Sequence, residues 1–122
     1  MATHWLVKSE PNTYGFDDLV CDGSTVWDGV RNNAAALHLK AMNMGDEVLF
    51  YHSQEGLAVV GVATVTKVAF PDPTDPSGRF VAVELAPVRK LSQPVTLAQM
   101  KAEPALETLP MLRQSRLSVS PV

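Results

Sequence analysis

The run from Leu57 to Phe70 is the hardest constraint this sequence places on a fold. Valine and threonine crowd it, and it is apolar on both faces, Val60 and Val62 against Val59 and Val65. Such a run is a strand that must be covered on both sides. Its most apolar part, Leu57 to Val65, is interrupted by Gly61 and Thr64 and is too short to cross a bilayer. The sheet holding this strand therefore needs neighbours and cover within the chain itself. The 122 residues are enough for that as one compact domain, residues 1–122.

The flanking segments supply the neighbours. His4 to Lys8 reads as a first strand with Trp5 and Val7 on one face, stopped at Ser9-Glu10-Pro11-Asn12 because proline donates no ladder hydrogen bond. Asp17 or Asp18 is suited to cap a short helix ending near Gly23. Thr25 to Val30 carries too much Gly and Asp for a long strand and is read as an ordered loop. Asn32 is an N-cap for a helix over Asn33 to Asn43, with Ala35, Leu39 and Met42 at helical spacing and Gly45 at its C′ position. Leu37, Leu39, Ala41 and Met42 read as core stripe. Asp46 to His52 is a strand joined to the Leu57 strand by a turn at Gln54-Glu55-Gly56. Pro71 to Gly78 is a turn, Phe80 to Val88 a further strand, and Thr96 caps a helix through Lys101. Pro104 opens another short helix, and Arg116 to Val119 is a closing strand. Strands in succession with short peripheral helices make a small mixed β-barrel of the α+β class.

Charge and cysteine usage exclude several functions. Ten Lys and Arg against thirteen Asp and Glu leave a net charge of -3, so the molecule is no basic sleeve for a nucleic acid backbone. Cys21 is alone, which excludes an internal disulfide and a thiolate cluster and suits a small, partly buried residue. His4, His38 and His52 fall in three elements without ligand spacing, so no metal site is expected. No nucleophile elbow or glycine-rich phosphate loop is present. The start Met1-Ala2-Thr3-His4-Trp5 lacks a signal-peptide pattern, and a soluble, cytoplasmic protein is expected.

Four segments carry more polar and aromatic groups than packing requires: Lys8-Ser9-Glu10-Pro11, Trp27-Asp28-Gly29-Val30-Arg31-Asn32, Phe50-Tyr51-His52-Ser53, and Arg116-Leu117-Ser118-Val119-Ser120-Pro121-Val122. Each lies at or beside a strand end, where a barrel presents binding groups. The strand Trp5-Leu6-Val7-Lys8-Ser9-Glu10-Pro11, the Trp27 to Asn32 segment, the Met44-Gly45-Asp46 turn into Phe50-Tyr51-His52-Ser53 and the ending Arg116-Leu117-Ser118-Val119, in this order, make the whole chain resemble the EVE domain family. The resemblance implies a PUA-like barrel related to the YTH RNA-reading domain. It also implies a pocket for a modified base of DNA or RNA, no cofactor, and a nuclease or RNA-processing partner to be guided. Two features depart from the family pattern. Asn33 stands where an aromatic residue commonly follows the Arg-Asn pair, and the connection Thr74 to Arg79 is short.

Roles follow from residue chemistry. A base is flat, with donors and acceptors on its rim, so a reader stacks it and bonds its edge. Trp27 is an ordinary core anchor on its own chemistry and becomes the stacking residue under the resemblance. Gly29 and Val30 supply backbone beside it, and Arg31 and Asn32 suit a base edge or a phosphate, with Asn32 also a helix cap. Lys8 suits a phosphate and Ser9 a base. Tyr51 and Ser53 share one strand face and Phe50 and His52 the other, so only one pair can face a pocket. Arg116 is placed to neutralise backbone phosphate beside Leu117 and Ser118. Ser118 and Ser120 alternate with Leu117 and Val119 as in a half-exposed strand. The expected function is thus a non-catalytic, monomeric reader of a flipped or unpaired base. The alternative is a small ASCH-like hydrolase of modified nucleosides using Lys8, Glu10 and Tyr51 or His52 as acid and base. A pocket for a small molecule or buffer ion unrelated to nucleic acid is a third reading.

Overall fold

The computed structural model describes residues 4–53, 56–106, 109–113 and 117–122. Six strands form one mixed sheet: β1 (His4–Ser9), β2 (Thr25–Trp27), β3 (Glu47–His52), β4 (Ala58–Pro71), β5 (Val81–Thr96) and β6 (Val119–Pro121). Their order is β2-β5-β4-β3-β1-β6, with β1 parallel to β3 and the other pairs antiparallel. The long β4–β5 hairpin shifts register between Val59 and Gly61, Val62 and Ala63, Val65 and Lys67, and Lys67 and Phe70. Each shift adds local twist, and together they curl the sheet into a half-barrel. Pro87 pairs with Ala63 at one of these shifts, where a missing ladder donor is tolerated. This is the PUA-like architecture that the motifs implied, closed on one side by helices rather than by a continuous ring of strands.

Strand alternation places a core on each face. Trp5 and Val7 of β1 and Val48 and Phe50 of β3 join Phe16, Leu19, Leu39, Met42, Val65, Val83 and Leu85. Helices α2 (Phe16–Asp22) and α3 (Asn33–Ala41) contribute to that side. Leu6 and Tyr51 point the other way, into a smaller cluster with Val59 and Met100, the last from α4 (Leu97–Ala102). The expectation that the strand read from Leu57 to Phe70 is covered on both sides holds for residues 58–65, whereas Leu57, Lys67 and Val68 are exposed where the strand runs past the core.

Several local expectations hold and several are corrected. Asn32 caps α3 through its Oδ1, which accepts from the Ala35 amide at 3.0 Å, and Ala35, Leu39 and Met42 are buried. Leu37 and Ala41, read as core, are exposed because the helix presents only one stripe to the sheet. Gly45 has a positive φ, but α3 ends at Ala41. The glycine serves instead the turn closed by the Asp46 amide on the Asn43 carbonyl. Helix α2 is capped at Gly15, and Asp18, one turn in, reaches back to the Gly15 amide at 2.8 Å. A one-turn helix α1 (Pro11–Tyr14) follows β1 directly, with Pro11 at its first position. Thr25–Trp27, expected as loop, is a short edge strand held by β5, Trp27 opposite Val83. Strand β5 runs on to Thr96, well past Val88. Thr96 then caps α4 with Gln99 answering as a capping box, and Pro104–Leu106 is a 3-10 turn followed by α5 (Pro110–Arg113). The closing strand starts at Val119, and Ser120 is fully buried, so it is not half-exposed. Cys21 is exposed, because α2 turns Phe16 and Leu19 inward. No described helix is long and apolar enough to cross a membrane.

Candidate functional site

Three of the four polar segments converge because β1 and β6 are neighbours and β2 leads out of the opposite sheet edge toward them. Lys8, Ser9, Glu10, Thr13 and Ser118 line one side of an open cleft of about 420 Å³, and Trp27, Asp28, Gly29, Val30 and Arg31 line the other. A second lobe of about 320 Å³ shares Ser9, Thr13, Trp27 and Asp28 and extends to Tyr14, Thr25 and Val26. The volume suits a small planar ligand. The charged lining is balanced, with Lys8 and Arg31 against Glu10 and Asp28.

Trp27 is half-buried at the end of β2. Its indole meets Phe50 edge-on, centroids 5.5 Å apart at 83°, and Phe50 in turn meets Phe16 at 5.4 Å. The core thus fixes the indole from one side while the ring remains part of the cleft wall. Ser9 spends its hydroxyl on the Tyr14 carbonyl at 2.6 Å, which ties the first turn after β1 to the strand. The Lys8 amide is bonded to the Ser118 carbonyl, which holds the two cleft-lining residues side by side. The Lys8 ammonium lies 5.8 Å from the Tyr51 ring centroid, and partial burial lowers its pKa.

The second wall is held by a residue that sequence reading passed over. Asp72 is buried behind it, and its Oδ2 accepts from the Gly29 amide at 2.8 Å and from Arg31 Nη1 at 3.0 Å. Its Oδ1 accepts from the Thr74 amide at 2.7 Å and the Thr74 hydroxyl at 2.6 Å. Burial alone would raise this carboxyl's pKa. The Thr74, Gly29 and Arg31 hydrogen bonds outweigh it and hold the group well below the usual carboxylate range. Gly29 has φ +76°, a conformation that aims its N–H at Asp72 and that a side chain would resist. Arg31 also donates to the Thr74 hydroxyl at 3.0 Å and lies over Phe80 at 5.3 Å. Its guanidinium is an anchor of the wall as much as a cation offered to a ligand.

The remaining sequence candidates sit elsewhere. Asn32 is the cap of α3, outside the cleft lining. Tyr51 is buried on the opposite sheet face, and burial raises its pKa. His52 Nε2 accepts from the Phe16 amide at 3.1 Å, which makes the imidazole the tie between β3 and α2. The Ser53 amide bonds the Ser9 carbonyl at 2.8 Å and closes the β1–β3 end. Leu117 is core. Arg116 lies outside the described residues. Among the described residues no group of three His, Cys, Asp or Glu is arranged to hold a metal ion. The cleft residues missed in the sequence are Thr13, Tyr14, Thr25, Val26 and, behind the wall, Asp72 and Thr74. The repeated Asp-Pro-Thr and Asp-Pro-Ser of residues 72–77 was the available signal, since Asp caps the residue two positions on.

The EVE domain profile matches residues 3–122. The chain belongs to the EVE domain family. Thymocyte nuclear protein 1 of Homo sapiens is 31% identical over an alignment covering all of this chain and 69% of that protein. An NMR structure of a Rhodopseudomonas palustris protein superposes with TM-score 0.93 at 48% identity, covering 100% of this chain and 85% of the other. Human THYN1 in complex with DNA containing 5-methylcytosine superposes with TM-score 0.88 at 31% identity, over 98% and 90% of the two chains. An ASCH protein from Zymomonas mobilis, TM-score 0.57 at 12% identity over 98% and 90%, shares the fold alone. Membership agrees with the motifs from which the EVE resemblance was drawn.

Proposed function

We propose that this EVE domain binds one base of DNA or RNA, unpaired or flipped out of a duplex, in the cleft between Ser9–Thr13 and Trp27–Arg31. The observation that carries the reading is the Trp27 indole, held edge-on by Phe50 and forming a wall of an open, polar-rimmed cleft. The likeness to human THYN1, whose structure contains 5-methylcytosine DNA, supports the class of ligand. Stacking on an aromatic face is worth about 1–3 kcal/mol per base, of the same order as the few kcal/mol needed to unstack one. An unpaired base is therefore the easier ligand. A buried methyl group is worth about 0.8 kcal/mol, roughly fourfold in affinity, so preference for a methylated base is modest unless shape adds to it. The balanced lining favours a neutral base over bare phosphate. In this reading the domain acts as a monomer in the cytoplasm, needs no cofactor, and brings a nuclease or RNA-processing partner to the marked base. The hydrolase alternative has Lys8 and Glu10 in the cleft lining but lacks its second group there, since Tyr51 is buried in the cluster on the far face and His52 accepts from the Phe16 amide.

The test is an anisotropy titration of single-stranded oligonucleotides carrying one 5-methylcytosine or one cytosine, at several salt concentrations. Saturable binding is expected, severalfold tighter for the methylated strand. The slope of log K against log salt should be shallower than about -2, since Lys8 and Arg31 are the cations of the described cleft lining. No saturable binding, or a steep slope with no base preference, overturns the reading.

A further inference from the structure

Among the described residues Asp72 is the one fully buried carboxylate that touches the cleft wall from behind, and no base-binding role uses it directly. It collects four hydrogen bonds from two separate stretches, Gly29 and Arg31 on one side and Thr74 on the other. Thr74 closes the triangle, because its hydroxyl accepts from Arg31 Nη2 and donates to Asp72. The Gly29 amide belongs to the residue two positions beyond Trp27, in a backbone conformation open mainly to glycine. Released from Asp72, that segment keeps β2 on one side and the buried Val30 side chain and the start of α3 on the other, while the Gly29 amide loses the bond that fixes its direction. The surrounding loop is itself stiffened. Asp75 accepts from Ser77 and from the Phe80 amide at 2.8 Å, and Phe80 supports both Arg31 and Arg79.

We infer that Asp72 is a positioning residue for base binding: it sets the cleft wall through the Gly29 amide and Arg31 without touching the ligand, and Thr74 is its necessary partner. This rests on the base-binding reading for its affinity arm only. Electrostatics gives the inference a distinctive sign. Removing a negative charge near a polyanionic ligand strengthens binding if charge alone matters. A positioning role requires the opposite, weaker binding on neutralisation. Asn at this position keeps the shape but carries an amide that faces donors on at least one side, so it cannot satisfy both stretches.

The experiment compares wild type with Asp72→Asn and Thr74→Val by two readouts, well below each variant's melting temperature. The first is amide hydrogen exchange at Gly29 without ligand. The second is affinity for the 5-methylcytosine oligonucleotide by anisotropy. Asp72→Asn is expected to speed Gly29 exchange at least tenfold and to weaken binding about tenfold. Thr74→Val, which keeps the Asp72 charge and removes two bonds of the triangle, should move both in the same direction by less. Unchanged Gly29 exchange, or tighter binding in Asp72→Asn, overturns the inference. If the wild type binds no oligonucleotide yet Asp72→Asn frees Gly29, the base-binding reading fails while the positioning of the wall stands.

Discussion

Gly61 sits on β4 directly beneath Phe16. A Cβ there would lie 2.5 Å from Cε1 and Cζ of the ring and 2.6 Å from Cε2. Carbon atoms pack comfortably at about 3.5–4.0 Å, so Gly61→Ala forces the ring aside by roughly 1 Å. Phe16 has nowhere to go: it is 1% exposed, its amide is bonded to His52, and its ring stands against Phe50. Two effects oppose each other. Alanine in a strand interior is favoured over glycine by about 0.5–1 kcal/mol through the unfolded chain. Overpacking a core costs about 1–3 kcal/mol. Overpacking wins, and we expect a net loss of about 1–2 kcal/mol in urea unfolding, with a melting temperature lower by about 3–6 °C per kcal/mol. Phe16→Leu shortens the offending ring, so Gly61→Ala/Phe16→Leu should lose less than the two single changes added together, by 1 kcal/mol or more. Additive losses, or a Gly61→Ala variant more stable than wild type, would refute the role given to this contact.

Three further outcomes follow. His52 accepts a hydrogen bond only while neutral, and burial lowers its pKa, assisted by Lys90 and opposed by Asp17. Below the ordinary value of about 6.5 the unfolded chain therefore takes up a proton that the folded one refuses, and stability falls as pH drops. His52→Gln, which can still accept, should lose that part of the profile; parallel urea midpoints for the two proteins between pH 7.5 and 5.5 contradict this. Asn32→Ala removes the α3 cap and should cost about 1 kcal/mol in the same assay, while a neutral result would mean that the bond to Ala35 carries no weight. Ser120 is buried with no hydrogen-bond partner among the described residues, so Ser120→Ala should be neutral or gain about 1 kcal/mol; a clear loss would reveal a partner for its hydroxyl.

What could be read from the sequence follows physical range. The Asn32 and Thr96 caps and the β4 run are local patterns and appear where the residues placed them, although the helix after Asn32 stops at Ala41, short of Asn43. Strand β2 was missed because three residues followed by Asp28-Gly29 carry no pattern of their own. Their strand character comes from pairing with Val83–Leu85, far along the chain. The choice between the Tyr51 and His52 faces was open for the same reason, since only the sheet decides which side meets Trp27. Asp72 was hidden most completely. Between two prolines it reads as a turn residue, and its burial comes from Gly29 and Arg31, more than forty residues earlier. Arg31 was read as a group for a base edge or a phosphate, yet its geometry ties it to Asp72, which no spacing rule could reveal.

The claim that a base stacks on Trp27 in this cleft is most directly tested by ¹⁹F NMR of the protein labelled with 5-fluorotryptophan. The chain has two tryptophans, Trp27 in the cleft and Trp5 buried against Asp46. Titration with a 5-methylcytosine oligonucleotide should move the Trp27 resonance saturably, with the midpoint found by anisotropy, and leave Trp5 in place. Saturable binding with an unmoved Trp27 resonance would contradict the account.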